Sequence, residues 1–258
     1  MSDKNDKAKN YIPSSQGKGL DKKPGDKHYR AYIGPPRHYD LISAMTFNLL
    51  TCLGLRQNHK VLDIGCGSLR VGRLLIPYLD KGSYYGVEPN EWLVRDGIAN
   101  ELGNEIVEMK RPTFVFGESL RSLEDKPVFD FAFAQSVFSH TGIDLLRDWL
   151  TELAPVIATS GAVLATFLFA EHDSEEIGWV YPGVVSYRES TLERLAEELG
   201  FSFRALNWSH PRQVWVILYR EEFDTDLING GNVHWNQFMK LEMVRDIDVR
   251  RRLDSGKN

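Results

Sequence analysis

The feature that most constrains this chain is Val61-Leu62-Asp63-Ile64-Gly65-Cys66-Gly67-Ser68, an apolar run that meets an acid and passes directly into a Gly-x-Gly turn. The run reads as a buried strand. The turn opens a helix whose Val71, Leu74, Leu75 and Tyr78 fall on one face. Glycines there let backbone approach a ligand closely, and the first turn of a helix presents free amide N–H groups. Glu88 lies 21 residues beyond Gly67, at the end of a second apolar run, Ser83 to Val87. An acid at the carboxyl end of the neighbouring strand is placed to accept both hydroxyls of a ribose. The pattern therefore calls for an open α/β sheet with a nucleoside at its strand ends. A dinucleotide site would need Gly-x-Gly-x-x-Gly. Arg70 stands at the last of those positions, so a nicotinamide oxidoreductase is disfavoured.

The rest of the chain repeats the alternation of strand and helix. Further strands are expected at Thr113–Phe116, Val128–Ala134, Gly161–Phe169, Phe201–Trp208 and Gln213–Tyr219. A helix with Trp92, Leu93 and Ile98 should stop at Gly103. Thr141 with Asp144, and Ser190 with Glu193, read as capping boxes that open two more helices. Ile42, Met45, Leu49 and Leu53 give an amphipathic helix over about 38–53. Between the last two strands there is only a turn at Ser209-His210-Pro211, so they must pair antiparallel. The expected fold is α/β: a doubly wound, mostly parallel seven-stranded sheet with an antiparallel closing strand.

At this point a family resemblance is visible. Asp63-Ile64-Gly65-Cys66-Gly67 resembles motif I of class I S-adenosylmethionine-dependent methyltransferases, and Tyr85-Gly86-Val87-Glu88 resembles their second motif. Phe116-Gly117-Glu118-Ser119 is similar to the segment that meets the adenine amino group. Phe129 to Gln135 is similar to the strand flanking the methionine moiety. The likeness covers about residues 55–220, and the family's usual third glycine falls at Leu69. It implies S-adenosyl-L-methionine as cofactor, with Asp63, Gly65, Cys66, Gly67, Glu88, Pro89, Glu118, Ser119 and Gln135 around it. Asp63 would help hold the methionine amino end, Glu88 the ribose hydroxyls and Glu118 the adenine. It implies transfer of a methyl group to oxygen or nitrogen. A non-catalytic S-adenosylmethionine-binding scaffold or sensor is the alternative, since a fold does not fix an activity.

The acceptor is less legible. Gln135-Ser136-Val137-Phe138 departs from the Asn/Asp-Pro-Pro-aromatic turn of base N-methylating members. Gln135 and Ser136 are also not the carboxylates of magnesium-using catechol enzymes, so no metal is expected. Tyr32 and Tyr39 on the helical segment, with Trp179 and Tyr181 in the aperiodic stretch 171–187, are the candidate substrate contacts; such stretches over strand ends often act as lids. His140, a few residues past the fourth strand, is the candidate general base, because imidazole titrates near neutrality. The acids Glu171, Asp173, Glu175 and Glu176 read chiefly as a solvated loop, with attraction of a cationic acceptor as the other reading. The expected acceptor is a small molecule or sugar-linked metabolite.

A net charge of −5 argues against an electrostatic hold on nucleic acid. Two cysteines form neither a metal-ligand spacing nor a disulfide framework, which suits a cytoplasmic setting. The apolar run from Ala162 to Ala170 is too short to span a membrane. The organisation expected is a disordered tail over 1–28, a helical lid over 29–54, the cofactor-binding α/β domain over 55–220 and a charged tail over 221–258. In the last, Trp235, Phe238, Leu241, Val244 and Ile247 recur every three residues. That spacing reads either as a helix docking on the domain or on a second copy, making a homodimer, or as a loosely ordered tail.

Overall fold

The computed structural model describes residues 15–123 and 127–229. Seven strands, β1 Val61–Ile64, β2 Tyr84–Val87, β3 Thr113–Val115, β4 Phe129–Ala134, β5 Ile157–Phe167, β6 Ser202–Leu206 and β7 Val214–Tyr219, make one sheet. Their order is β3-β2-β1-β4-β5-β7-β6. β1 pairs in parallel with β2 and β4, whereas β7 runs antiparallel to both β5 and β6.

The helices are α1 Tyr29–Tyr32, α2 Tyr39–Cys52, α3 Gly72–Tyr78, α4 Glu91–Gly97, α5 Asn104–Lys110, α6 Ile143–Leu153, α7 Glu189–Glu198 and α8 Asp226–Asn229. Strand alternation sends side chains to two faces. Along β5, Val163, Ala165 and Phe167 pack towards α6 and α7, which supply Leu146, Trp149, Leu150, Leu192 and Leu195. Ala162 and Leu164 pack the other way with Leu49 and Leu50 of α2, Leu53 just beyond it, and Leu75 of α3. β7 divides in the same manner, with Val216 and Leu218 on the first face and Trp215 and Ile217 on the second. Both faces are covered, as a mostly parallel sheet requires.

Several local expectations are corrected. Thr141 is not a cap: its hydroxyl donates to Val137 O at 3.0 Å, and Gly142 precedes α6. Asp144 instead accepts from Gly178 N at 2.9 Å, tying α6 to the 171–187 stretch. Ser190 lies inside α7, whose N-cap is Arg188, without a side-chain cap. Helix α5 has no sequence forecast; none of its side chains is buried, so it has no apolar stripe to betray it. Residues 15–28, expected within a disordered tail, form a 3₁₀ turn at Ser15–Lys18 and a run of turns that ends where His28 Nδ1 accepts from Arg30 N at 3.2 Å. The expectations for 1–14 and for Trp235 to Ile247, with the homodimer contact they imply, lie outside the described residues. Among the described residues no helix is long and apolar enough to cross a membrane.

Candidate active site

The turn after β1 is held from both sides. Gly65 N and Cys66 N both donate to Val87 O, at 2.8 and 3.1 Å, and Gly67 N donates to Glu88 Oε2 at 3.1 Å. These amides are therefore spent on β2, which differs from the free N–H groups the sequence suggests. From the other side, Tyr39 Oη donates to Ser68 O at 2.8 Å and Ser43 Oγ to Arg70 O at 2.5 Å. Gly65 and Gly67 have φ of +67° and +53°. A Cβ on Gly65 would lie 2.5 Å from Val137 Cγ2, and one on Gly67 2.9 Å from Ile33 Cγ2. Leu69, where the family has glycine, keeps the left-handed backbone at φ +61° and is wholly buried. Its core packing offsets a strain of order 1–2 kcal/mol.

Glu88 closes β2 and is 6% exposed. Oε1 accepts from Asn90 N and Nδ2, both at 2.9 Å. Burial raises its pKa, opposed by those donors and by Gly67. Asp63 is more deeply buried; it accepts from Tyr84 Oη at 2.7 Å, yet burial pushes its carboxyl up to about 7. Cys66 is buried and its thiol is pushed far up, which makes it packing and not a nucleophile.

A cavity of about 560 Å³ opens at the carboxyl ends of β1, β2 and β4. Of the residues expected from sequence, Asp63, Gly65, Cys66, Glu88, Pro89, Glu118, Gln135, His140, Tyr32, Trp179 and Tyr181 line it. Three do not. Gly67 stands behind Glu88 as its donor. Ser119 turns away to accept from Arg121 N at 3.2 Å. Tyr39, 1% exposed, braces the motif turn from behind; it reads as a substrate contact because aromatic side chains near a lid look alike in sequence.

Two distant segments roof the cavity. The first, around α1, is anchored by Arg30, which bonds Glu101 through Nε at 2.7 Å and Asp40 through Nη1 at 3.1 Å. Its guanidinium also sits 4.3 Å from the Tyr39 ring centroid. The second is the 171–187 stretch, paired along 139–142: Val180 N donates to His140 O and Val185 N to Ser139 O, each at 2.9 Å. Tyr181 Oη donates to Tyr32 O at 2.7 Å and joins the two. Trp179 and Tyr181 stack with centroids 6.3 Å apart, and His140 lies against both, at 5.8 and 5.1 Å. His140 Nδ1 is 2.5 Å from Gly183 O, so Nδ1 carries the proton and Nε2 keeps its lone pair. Burial lowers the pKa of this imidazole.

Sequence reasoning missed Arg70, His210 and Gln213, all on the cavity wall. His210 sits in the β6–β7 turn, and its Nε2 is 3.0 Å from Gln135 Nε2. The only signal for it was that a turn between antiparallel strands must lie at the same end as the other strand tips. Among the four acids of the lid, Asp173 is committed: Arg188 Nη2 donates to it at 2.7 Å and Thr191 Oγ1 at 2.8 Å. Glu171, Glu175 and Glu176 are exposed and away from the cavity. No group of three or more metal-ligating side chains occurs among the described residues.

No family model matches the sequence, and neither does any curated protein sequence. Solved structures do match. Magnesium protoporphyrin IX methyltransferase from Synechocystis PCC 6803, with bound SAH, is similar at 14% identity, over 71% of this chain and 84% of that one, with a TM-score of 0.52. A putative O-methyltransferase from Nostoc punctiforme PCC 73102 is similar at 16% identity, over 71% and 59%, with a TM-score of 0.51. The YcgJ protein of Bacillus subtilis is similar at 15% identity, over 69% and 98%, with a TM-score of 0.50. Together with the strand order and the single reversed strand, these matches establish the class I methyltransferase fold.

Proposed function

We propose that the chain is an S-adenosyl-L-methionine-dependent methyltransferase acting on oxygen or nitrogen of a small-molecule or sugar-linked acceptor. The observation that carries this reading is the continuity of one cavity, from Glu88 and Glu118 at one end, past Asp63, to His140, Trp179 and Tyr181 at the other. Its volume falls within the ~300–1,000 Å³ usual for small-ligand sites.

The residues present fit the cofactor. The Glu88 carboxylate takes three N–H donors, two on Oε1 and one on Oε2, so Oε2 keeps a site for one diol hydroxyl and the second reaches Oε1 as the Asn90 side-chain amide gives way. Gly65 is on the cavity wall, where Val137 leaves no room for a Cβ, and Gly67 behind it holds Glu88 in place through its N–H. Asp63 supplies negative charge beside a ligand that carries an ammonium and a sulfonium. S-adenosylmethionine, when bound, brings a methyl group already activated for transfer.

The protein's share is binding, alignment and a proton. Glu88 orients the ribose and Glu118 the adenine, which fixes the methyl direction. The joined lids of Tyr32 and Tyr181 exclude water and favour an acceptor small enough to lie beneath them. His140 Nε2, unprotonated at neutral pH, accepts the proton of a hydroxyl or amine as the new bond to carbon forms. The test is incubation of the full chain with methyl-labelled S-adenosylmethionine and fractionated metabolite pools. Label appearing in a small-molecule fraction is expected. Cofactor binding without transfer to any fraction would leave a non-catalytic scaffold instead, and no binding would reject the reading altogether.

A further inference from the structure

The cavity wall holds a guanidinium that no carboxylate contacts; Asp63 acts on it only from beyond ion-pair distance. Arg70 is 7% exposed and lines the cavity, and among the described residues no carboxylate lies within ion-pair distance of it. Its guanidinium bonds only neutral oxygens: Nη1 donates to Ile33 O at 3.3 Å and Nη2 to Gln135 Oε1. A buried cation ordinarily requires a counter-charge.

The neighbouring polar groups fall one acceptor short as well. His210 Nδ1 accepts from Gln213 N at 3.0 Å and from Arg212 N at 3.3 Å, so the ring proton of the neutral imidazole is on Nε2. That N–H faces the Gln135 Nε2 amide nitrogen at 3.0 Å, donor against donor. Gln135 Nε2 also donates to Ser136 Oγ at 2.5 Å. Reversing the Gln135 amide would satisfy His210 but turn an NH₂ group onto the Arg70 guanidinium. Either orientation leaves one mismatched pair, and an oxygen acceptor carrying negative charge resolves both.

We propose that Arg70, the Gln135 amide and His210 Nε2 form a carboxylate-binding corner of the cavity, one that takes an acid group of the ligand. Burial and the charge of Arg70 hold the His210 pKa down at about 4, so the ring is a neutral donor across the working pH range. The inference extends the methyltransferase reading: the acid belongs either to the methionine end of the cofactor or to the acceptor, which would then be a carboxylic acid.

Calorimetry on the full chain separates these sources. One arm compares S-adenosylhomocysteine with its decarboxylated analogue. The other compares benzoate with benzamide on protein saturated with S-adenosylhomocysteine, and again without it. Arg70→Gln removes the charge. His210→Asn removes the ring N–H while its Oδ1 can still accept from the 212 and 213 amides. The expected result is a preference of at least about tenfold for the carboxylate in one arm, lost in both variants. 5′-Methylthioadenosine, which has no carboxylate, should bind all three proteins alike and so reports that the variants are folded. No carboxylate preference in either arm, or a preference that both variants keep, overturns the corner. If neither S-adenosylhomocysteine nor 5′-methylthioadenosine binds the parent protein, the methyltransferase reading falls, and the benzoate arm without nucleoside still decides the corner alone.

Discussion

Replacing Glu88 with alanine tests the nucleoside end most directly, and the structure makes the outcome two-sided. In the free protein the carboxylate accepts from Gly67 N, Asn90 N and Asn90 Nδ2. Its loss leaves the buried Gly67 N–H without a partner, a penalty of about 1–3 kcal/mol. For a domain of this size each kcal/mol lowers Tm by about 2–4 °C, so a fall of several degrees is expected. The same carboxylate is proposed to take two ribose hydroxyls. Losing those charge-assisted bonds should cost a further 1.5–3 kcal/mol or so, about ten- to a hundredfold in Kd. Adenosine and 2′,3′-dideoxyadenosine, titrated as competitors of S-adenosylhomocysteine, tell the two effects apart. In the parent protein, removing the hydroxyls should weaken binding by that factor; in Glu88→Ala the two nucleosides should bind nearly equally. A dideoxy penalty of the same size in both proteins would show that Glu88 acts only by shaping the turn, and the diol assignment would be refuted.

Asp63, held up to about 7 by burial against an ordinary 3.8, should be ionised by a cationic cofactor; binding then releases a proton at pH 6, and affinity climbs with pH until about 7. Calorimetry in buffers of differing ionisation heat reads the proton directly, and zero release would dismiss the idea. The same raised pKa means that the free protein loses stability as pH rises through this window, a slope that Asp63→Asn should flatten in thermal melts. His140→Asn should leave cofactor affinity intact and lower turnover by about 10²–10⁴-fold, and the parent rate should reach its plateau by neutrality because the imidazole pKa is depressed. Near-normal turnover in that variant would leave catalysis to alignment. Methyl transfer should persist in excess EDTA, since Asp173 is bonded to Arg188 and Gln135 is not a carboxylate; activity lost and then restored by magnesium would reverse this.

The elements legible in the sequence are those whose residues report their own surroundings. β5 and β7 alternate between two packed faces, and their strand character was plain from apolar content alone. Asp63, Gly65 and Glu88 were legible because a strand tip, a left-handed turn and a fixed spacing constrain residue type jointly. The two capping boxes misled because Thr141 turns its hydroxyl back to Val137 O, and because α7 starts early enough to put Ser190 inside it. Arg70 and His210 were silent for a different reason. They are 140 residues apart in sequence, and nothing local says that both reach Gln135.

The reversal of β7 has a consequence for how such a protein can change its chemistry. In a sheet whose strands all run one way, each loop on the ligand side must lead into a crossover helix, and altering it risks the packing beneath. Here β6 turns at 207–213 and comes straight back as β7, so one ligand-side segment is a plain hairpin end with no helix hanging from it. His210 and Gln213 lie on that segment, and His210 meets Gln135 on the cavity wall. Substitution or lengthening there can remodel the far wall while Gly65, Glu88 and the strands behind them stay as they are. One half of the corner thus hangs on a hairpin free to vary, and the other, Arg70 with Gln135, is fixed to the strand ends of the nucleoside site.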